Sequence, residues 1–126
     1  MKKIIIETIP HEDHRYKTPG DWFDDKDGNL VIQVSDMGNP DYEILVALHE
    51  LIEKKLCEKR GITEKMVDEF DIEFEKNRKE GNTDEPGDDA KCPCLKEHFF
   101  ATNVERLMAD QLGVDWKTYD DTVVKL

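Results

Sequence analysis

Nowhere does this chain hold the roughly 20 consecutive apolar residues that a membrane-crossing helix needs. The opening "MKKIIIETIP" begins like a secretion signal, but its apolar run is short and meets Glu7 at once. A strand in a cytoplasmic protein is therefore expected. Basic residues are also scarce: 18 Lys and Arg stand against 30 Asp and Glu, a formal net charge of -12. A chain so short of positive charge lacks the patch that neutralises phosphates, which argues against direct DNA or RNA binding. Cysteine is sparse and odd in number, three in all, and does not suggest a secreted disulfide framework. Missing too are a glycine-rich phosphate loop, a nucleophile elbow and a dinucleotide fingerprint.

What is present is one modest core's worth of apolar residues, 37% of 126, under a surface rich in charge. One domain is expected, with a strand and hairpin region over 1–38 and a helical region over 40–126. "KKIIIETI" is β-branched and stops at Pro10, which fits a strand. "DWFDDKDGNLVIQVSD" predicts a hairpin turning at Asp27-Gly28. Its acids do not make an EF-hand, because aligning Gly28 with that loop's glycine puts Phe23 and Val34 at ligand positions.

From Pro40 the period becomes helical, with Leu45, Leu48, Ile52 and Leu56 on one stripe and Gly61 as the stop. Thr63 is the expected cap of a second helix carrying Met66, Val67, Phe70 and Phe74. Residues 79–93, "KEGNTDEPGDDAKCP", read as an acidic surface loop. A third helix presents Phe100, Val104, Leu107 and Met108, and Asp115 caps a short last one. The expected fold is α+β: a small antiparallel sheet from the N-terminal strand and hairpin, followed by three main helices. Trp22, Phe23, Phe99 and Trp116 either fill the space between sheet and helices or cover a partner subunit.

The chemistry centres on "HELIE". His49 and Glu53, at i and i+4, reach a common ion above one helix face, and Glu50 is placed to deprotonate the attacking water. His-Glu-x-x-Glu is one residue off the His-Glu-x-x-His of zincin peptidases, so the likeness rests on His49, Glu50 and Glu53 alone. Zn2+ or another divalent metal is the cofactor implied. His98 and Glu105 on the third helix project about 20° apart, and either can complete the site. Two turns separate them by about 11 Å along the axis, so both together demand extended side chains. Asp68 and Asp71 are further carboxylate candidates.

Against this stands a packed histidine on an apolar stripe, satisfied by a carboxylate or carbonyl. A rival metal set uses Cys92, Cys94, His98 and Cys57 in a closed thiolate site. His11 and His14 form another cluster, read as a solvated loop, with Arg15 and Tyr16 beside it as binders of an anion.

"VSDMG", "ALHELIE", "FDIEFE", "EPGDD" and "HFFATNVERLMADQLGVDW" together resemble a family of small uncharacterised proteins encoded by bacteriophages and prophages. The likeness spans residues 5–120 and implies a phage-derived protein acting in the bacterial cytoplasm. It brings no established activity, and Cys92-Pro93-Cys94 departs from the Pro-aromatic pattern of the family. The function expected is metal binding with a zincin-like helix and, for an enzyme, metal-assisted hydrolysis. The alternative is an acidic module that blocks a basic surface of a host protein or sequesters a small-molecule ligand, motivated by the charge and the loop from Glu80 to Asp89. No nucleic-acid or membrane partner is expected, and the oligomeric state stays open.

Overall fold

The computed structural model describes residues 2–126. Strands β1 (Ile4–Ile9), β2 (Gly20–Asp24) and β3 (Leu30–Ser35) form one sheet in the order β1-β3-β2. β2 and β3 make the expected hairpin, whose turn is tied by Asp25 Oδ1 accepting the N–H groups of Asp27 and Asn29, both at 2.9 Å. The α+β class holds, but the sheet is mixed rather than antiparallel: β1 runs parallel to β3, with Ile4 opposite Leu30 and Ile9 opposite Ser35. The reason lies in β3. Its run "LVIQV" is the most thoroughly buried stretch of the sheet and takes the centre, where both neighbours shield it. The connection from Pro10 to Pro19 then passes over the end of β3 to reach β2, which leaves β1 and β3 pointing the same way.

Four helices follow: α1 (Pro40–Lys59), α2 (Glu64–Lys76), α3 (Leu95–Gln111) and α4 (Trp116–Val124). The starts of α2 and α4 were legible. The Asn39 side chain accepts from the N–H groups of Asp41 and Tyr42, Thr63 from that of Met66, and Asp115 from that of Thr118. Each satisfies donors that the first turn leaves open. α1 lies against β2 and β3, burying Leu45 and Val46 over Trp22, Ile32 and Val34. Truncating a core leucine such as Leu45 costs about 2–5 kcal/mol. Gly20 permits the close approach, since a Cβ there would stand 2.6 Å from Val46 Cγ1 and 2.8 Å from Glu50 Cγ. α3 packs along α1 in the opposite direction, so Arg60 at the end of α1 meets Glu97 in the first turn of α3 at 2.5 Å. No helix among the described residues is long and apolar enough to cross a membrane.

The face that α3 turns inward is not the apolar one predicted. Phe100 and Leu107 are 53% and 69% exposed, whereas Glu97, His98, Ala101, Glu105 and Ala109 are buried. Periodicity of apolar residues misplaces this helix because its buried stripe is largely polar, with small alanines between the ionisable groups. Trp22 is core and Trp116 packs on it, but Phe99 is 66% exposed.

Candidate metal centre

α1 and α3 bring all four anticipated residues to one buried cluster. His49 Nε2, Glu53 Oε2 and His98 Nδ1 form a triangle with three sides of 3.1 Å. Outside it, every remaining polar atom is held. His49 Nδ1 lies 2.8 Å from Glu105 Oε1, and Tyr119 on α4 donates its hydroxyl to Glu105 Oε2 at 2.5 Å. His98 Nε2 lies 2.9 Å from Glu85 Oε2 and 3.3 Å from Asp88 Oδ1. Trp22 Nε1 donates to Glu53 Oε1 at 3.2 Å.

These outer partners assign the tautomers. A carboxylate accepts only, so the proton on His49 sits at Nδ1 facing Glu105, and the proton on His98 sits at Nε2 facing Glu85 and Asp88. In neutral rings the inner nitrogens are then lone pairs facing a carboxylate oxygen, an arrangement that a cation between the three relieves; in charged rings the inner N–H groups donate to Glu53 instead. On one tetrahedral zinc at 2.0–2.1 Å, ligand atoms stand about 3.3 Å apart, so the triangle is within a few tenths of an ångström of a metal's requirement. Without a metal, a proton does the same work. Burial opposes charge on His49, but hydrogen bonds to Glu105 and Glu53 outweigh it and hold its pKa well above the usual value. For His98 burial is likewise overcome, by Glu53 and Glu85, and the pKa is pushed up to about 10. Burial works against ionised Glu53 too, yet its bonds to both histidines keep it well below the ordinary carboxylate range.

Glu105 thus stands behind His49 as its orienting carboxylate, and His98 takes the inner place. The two meet His49 from opposite ring nitrogens, which removes the need for one ion to reach both. Glu50 points into the same cleft beside Gly20 and enters no hydrogen bond among the described residues. Burial, with the neighbouring Glu53 charge next in weight, raises its pKa well above the carboxylate range. The cleft holds about 520 Å³ and reaches from His11 past the triangle to Trp116 on α4.

Glu85, Asp88, Trp22 and Tyr119 were not anticipated. The loop over 79–93 is only partly the solvated surface expected: Pro86–Asp88 forms a 3-10 turn, with Gly87 buried against His98. A Cβ on Gly87 would lie 2.3 Å from the imidazole, so only glycine lets the turn close on it. Pro-Gly flanked by acids, just ahead of a helix bearing a histidine, was the available signal.

The sulfur set does not assemble. Both His98 nitrogens serve the polar cluster, and among the described residues no group of ligand atoms joins the cysteines to it. Asp68 and Asp71 are also engaged elsewhere, Asp68 by Arg15 at 3.0 Å and Asp71 by the Tyr16 hydroxyl at 3.2 Å. Arg15 is paired as well with Asp21, at 2.8 Å, and is not free for an anion. His11 and His14 meet at the buried Ser35, whose Oγ lies 2.8 Å from His11 Nδ1 and 2.9 Å from His14 Nε2. His14 is buried rather than solvated, while His11 borders the cleft. Compared with known proteins, the chain matches no family model, no curated protein and no solved structure.

Proposed function

We propose that this is a divalent-metal protein, binding zinc or a similar ion through His49, Glu53 and His98, and that it carries out metal-assisted hydrolysis. One observation carries the reading: three buried atoms able to ligate a metal converge at 3.1 Å, with a carboxylate behind each imidazole. Glu105 and Glu85 do for the two imidazoles what carboxylates do behind metal-bound histidines generally, fixing the ring and raising its basicity. A divalent ion held there supplies Lewis acidity and makes water acidic enough to act as a nucleophile near neutral pH.

The chain's own residues do the rest. Glu50 takes the proton from the attacking water and returns it to the leaving group, a role suited to a buried carboxyl whose pKa is raised above the usual carboxylate range. The substrate bond lies in the cleft between the start of β2 and α4. As the resemblance implies, the protein is phage-derived and works in the bacterial cytoplasm.

Elemental analysis of protein purified without chelators tests this. The expected result is about one zinc or other divalent ion per chain, lost in His49→Ala and His98→Ala while circular dichroism still reports a helical fold. Glu50→Gln should keep the ion and lose hydrolysis of peptide or amide substrates. A wild type that carries no metal and takes up none on zinc titration would falsify the reading.

A second reading has an observation of its own. Asp21, Glu50, Asp71, Glu85 and Asp120 all border the cleft, which suits sequestration of a small cationic ligand as well as catalysis.

A further inference from the structure

Cys92 and Cys94 stand outside the polar cluster, and the proposed hydrolysis makes no use of them. Both are buried, on either side of Pro93, immediately ahead of α3. Their Sγ atoms are 2.7 Å apart. Two distances decide what such a pair is for. Two thiolates on one zinc, each at 2.3 Å, stand about 3.8 Å apart, whereas bonded sulfurs stand about 2.05 Å apart. The pair is therefore about 1 Å too close for chelation and about 0.7 Å from a bond. Pro93 fixes its own φ near -65°, which removes one torsion from the chain between the two cysteines.

We propose that Cys92 and Cys94 form a reversible dithiol–disulfide site whose oxidant is a hydroperoxide. Cys92 is the attacking sulfur. It accepts the Cys94 N–H at 3.3 Å, and its Sγ lies 2.7 Å from that of Cys94. Those bonds, led by the one from the Cys94 side chain, lower its pKa despite its burial, while the same contact and burial raise that of Cys94. Cys92 also borders a shallow depression lined by Arg60, Ile62, Pro93 and Leu95, through which a small oxidant reaches it.

The Cys92 thiolate attacks the outer peroxide oxygen. An S–O bond forms, the O–O bond breaks, and the leaving alkoxide takes a proton to give alcohol and a sulfenic acid. The Cys94 sulfur then attacks Cys92: the S–S bond forms, the S–O bond breaks, and hydroxide leaves as water with the Cys94 proton. Overall, two thiols and one hydroperoxide give one disulfide, one alcohol and one water. Cys57, the remaining thiol, takes no part. Burial, with the charges of Glu53 and Glu97 next in weight, raises its pKa to about 12 and keeps it protonated.

The test is intact-protein mass spectrometry of the full chain after hydrogen peroxide or tert-butyl hydroperoxide, with thiol alkylation mapped by peptide. The expected product is about 2 Da lighter than the reduced chain, has Cys92 and Cys94 protected from alkylation, and reverts with dithiothreitol. Cys57→Ser should form it unchanged, and Cys92→Ser and Cys94→Ser should not form it. Persistent alkylation of both thiols overturns the proposal. So does oxygen addition that dithiothreitol leaves in place, a bond from Cys57, or zinc retained by the sulfurs in a His49→Ala background. The alkylation, oxygen-addition and Cys57 outcomes leave the metal at His49 untouched, and zinc in His49→Ala that Cys92→Ser removes is told apart from zinc at His98 and Glu53.

Discussion

At the scale of single residues, the proposed chemistry turns on His49, because each of its nitrogens faces a different partner. Glu105 sets the Nδ1 proton, and Tyr119 in turn holds Glu105 at 2.5 Å, so the Nε2 lone pair is aimed by a chain of contacts reaching α4. Glu105→Gln keeps the shape but removes the charge that makes His49 basic. Metal affinity should fall by about 10–100-fold with the fold intact, read by competition with a chelating dye. An unchanged affinity would mean that Glu105 only fills space. pH gives a second handle. In the metal-free chain, burial opposes charge on His98, but hydrogen bonds to Glu53 and Glu85 outweigh it and push its pKa up to about 10, above its ordinary 6.5. A raised pKa contributes stability that is complete below about 6.5 and is lost as pH rises through about 10. The depressed Glu53 works the other way, its contribution being lost only as pH falls below the usual carboxylate range. The melting temperature of metal-free protein should therefore decline from pH 7 to 10. Over the same range metal affinity should climb, because binding must displace the histidine proton. A melting temperature that holds flat across that window, with proton release absent in calorimetry, would show that His98 is neutral and that a lone pair is already free.

At the scale of elements, the site depends on an acidic turn closing over a helix. Pro86–Asp88 brings Glu85 and Asp88 to His98, and Gly87 is what allows the contact. Gly87→Ala forces the turn or the ring to move, so His98 loses the partners that place its proton. We expect metal affinity to drop at least tenfold and stability by about 1–3 kcal/mol, measured by metal titration and urea unfolding. Wild-type values for both would mean that the turn is dispensable. This turn also shows where sequence reading stops. His49 with Glu53, and His98 with Glu105, were legible because helical spacing alone puts each pair on one face. Glu85, Trp22 and Tyr119 belong to a loop, a strand and a separate helix, where no period links them to α1. The hairpin and the starts of α2 and α4 could be read from turn and cap chemistry. The parallel β1–β3 pairing could not, since it depends on which strand takes the centre. The inward face of α3 was misread for the most informative reason: apolar periodicity assumes an apolar core, and here the interior holds histidines and glutamates.

At the scale of the whole molecule, the -12 charge is not spread evenly in its effect. The cleft that passes His49 is bordered by Asp21, Glu50, Asp71 and Asp120, and carboxylates outnumber the cations that share it, Lys17, Arg78 and Arg106, of which Arg78 is paired with Glu75 at 2.7 Å. Burial, with the Glu53 charge next in weight, raises the Asp71 pKa to about 7. Low-dielectric walls lined by one sign of charge focus the field, which speeds the entry of cations and turns anions away. Association of a divalent ion should then depend steeply on salt, whereas its release, governed by short contacts to His49, Glu53 and His98, should not. Raising ionic strength from about 0.01 M to about 0.15 M shortens the screening length from about 30 Å to about 8 Å. Stopped-flow mixing with Co2+ should show the association rate falling about tenfold over that range, with the dissociation rate into excess chelator constant. If both rates ignore salt, the cleft carboxylates are screened or neutralised where they stand, and entry is governed by the width of the opening between β2 and α4.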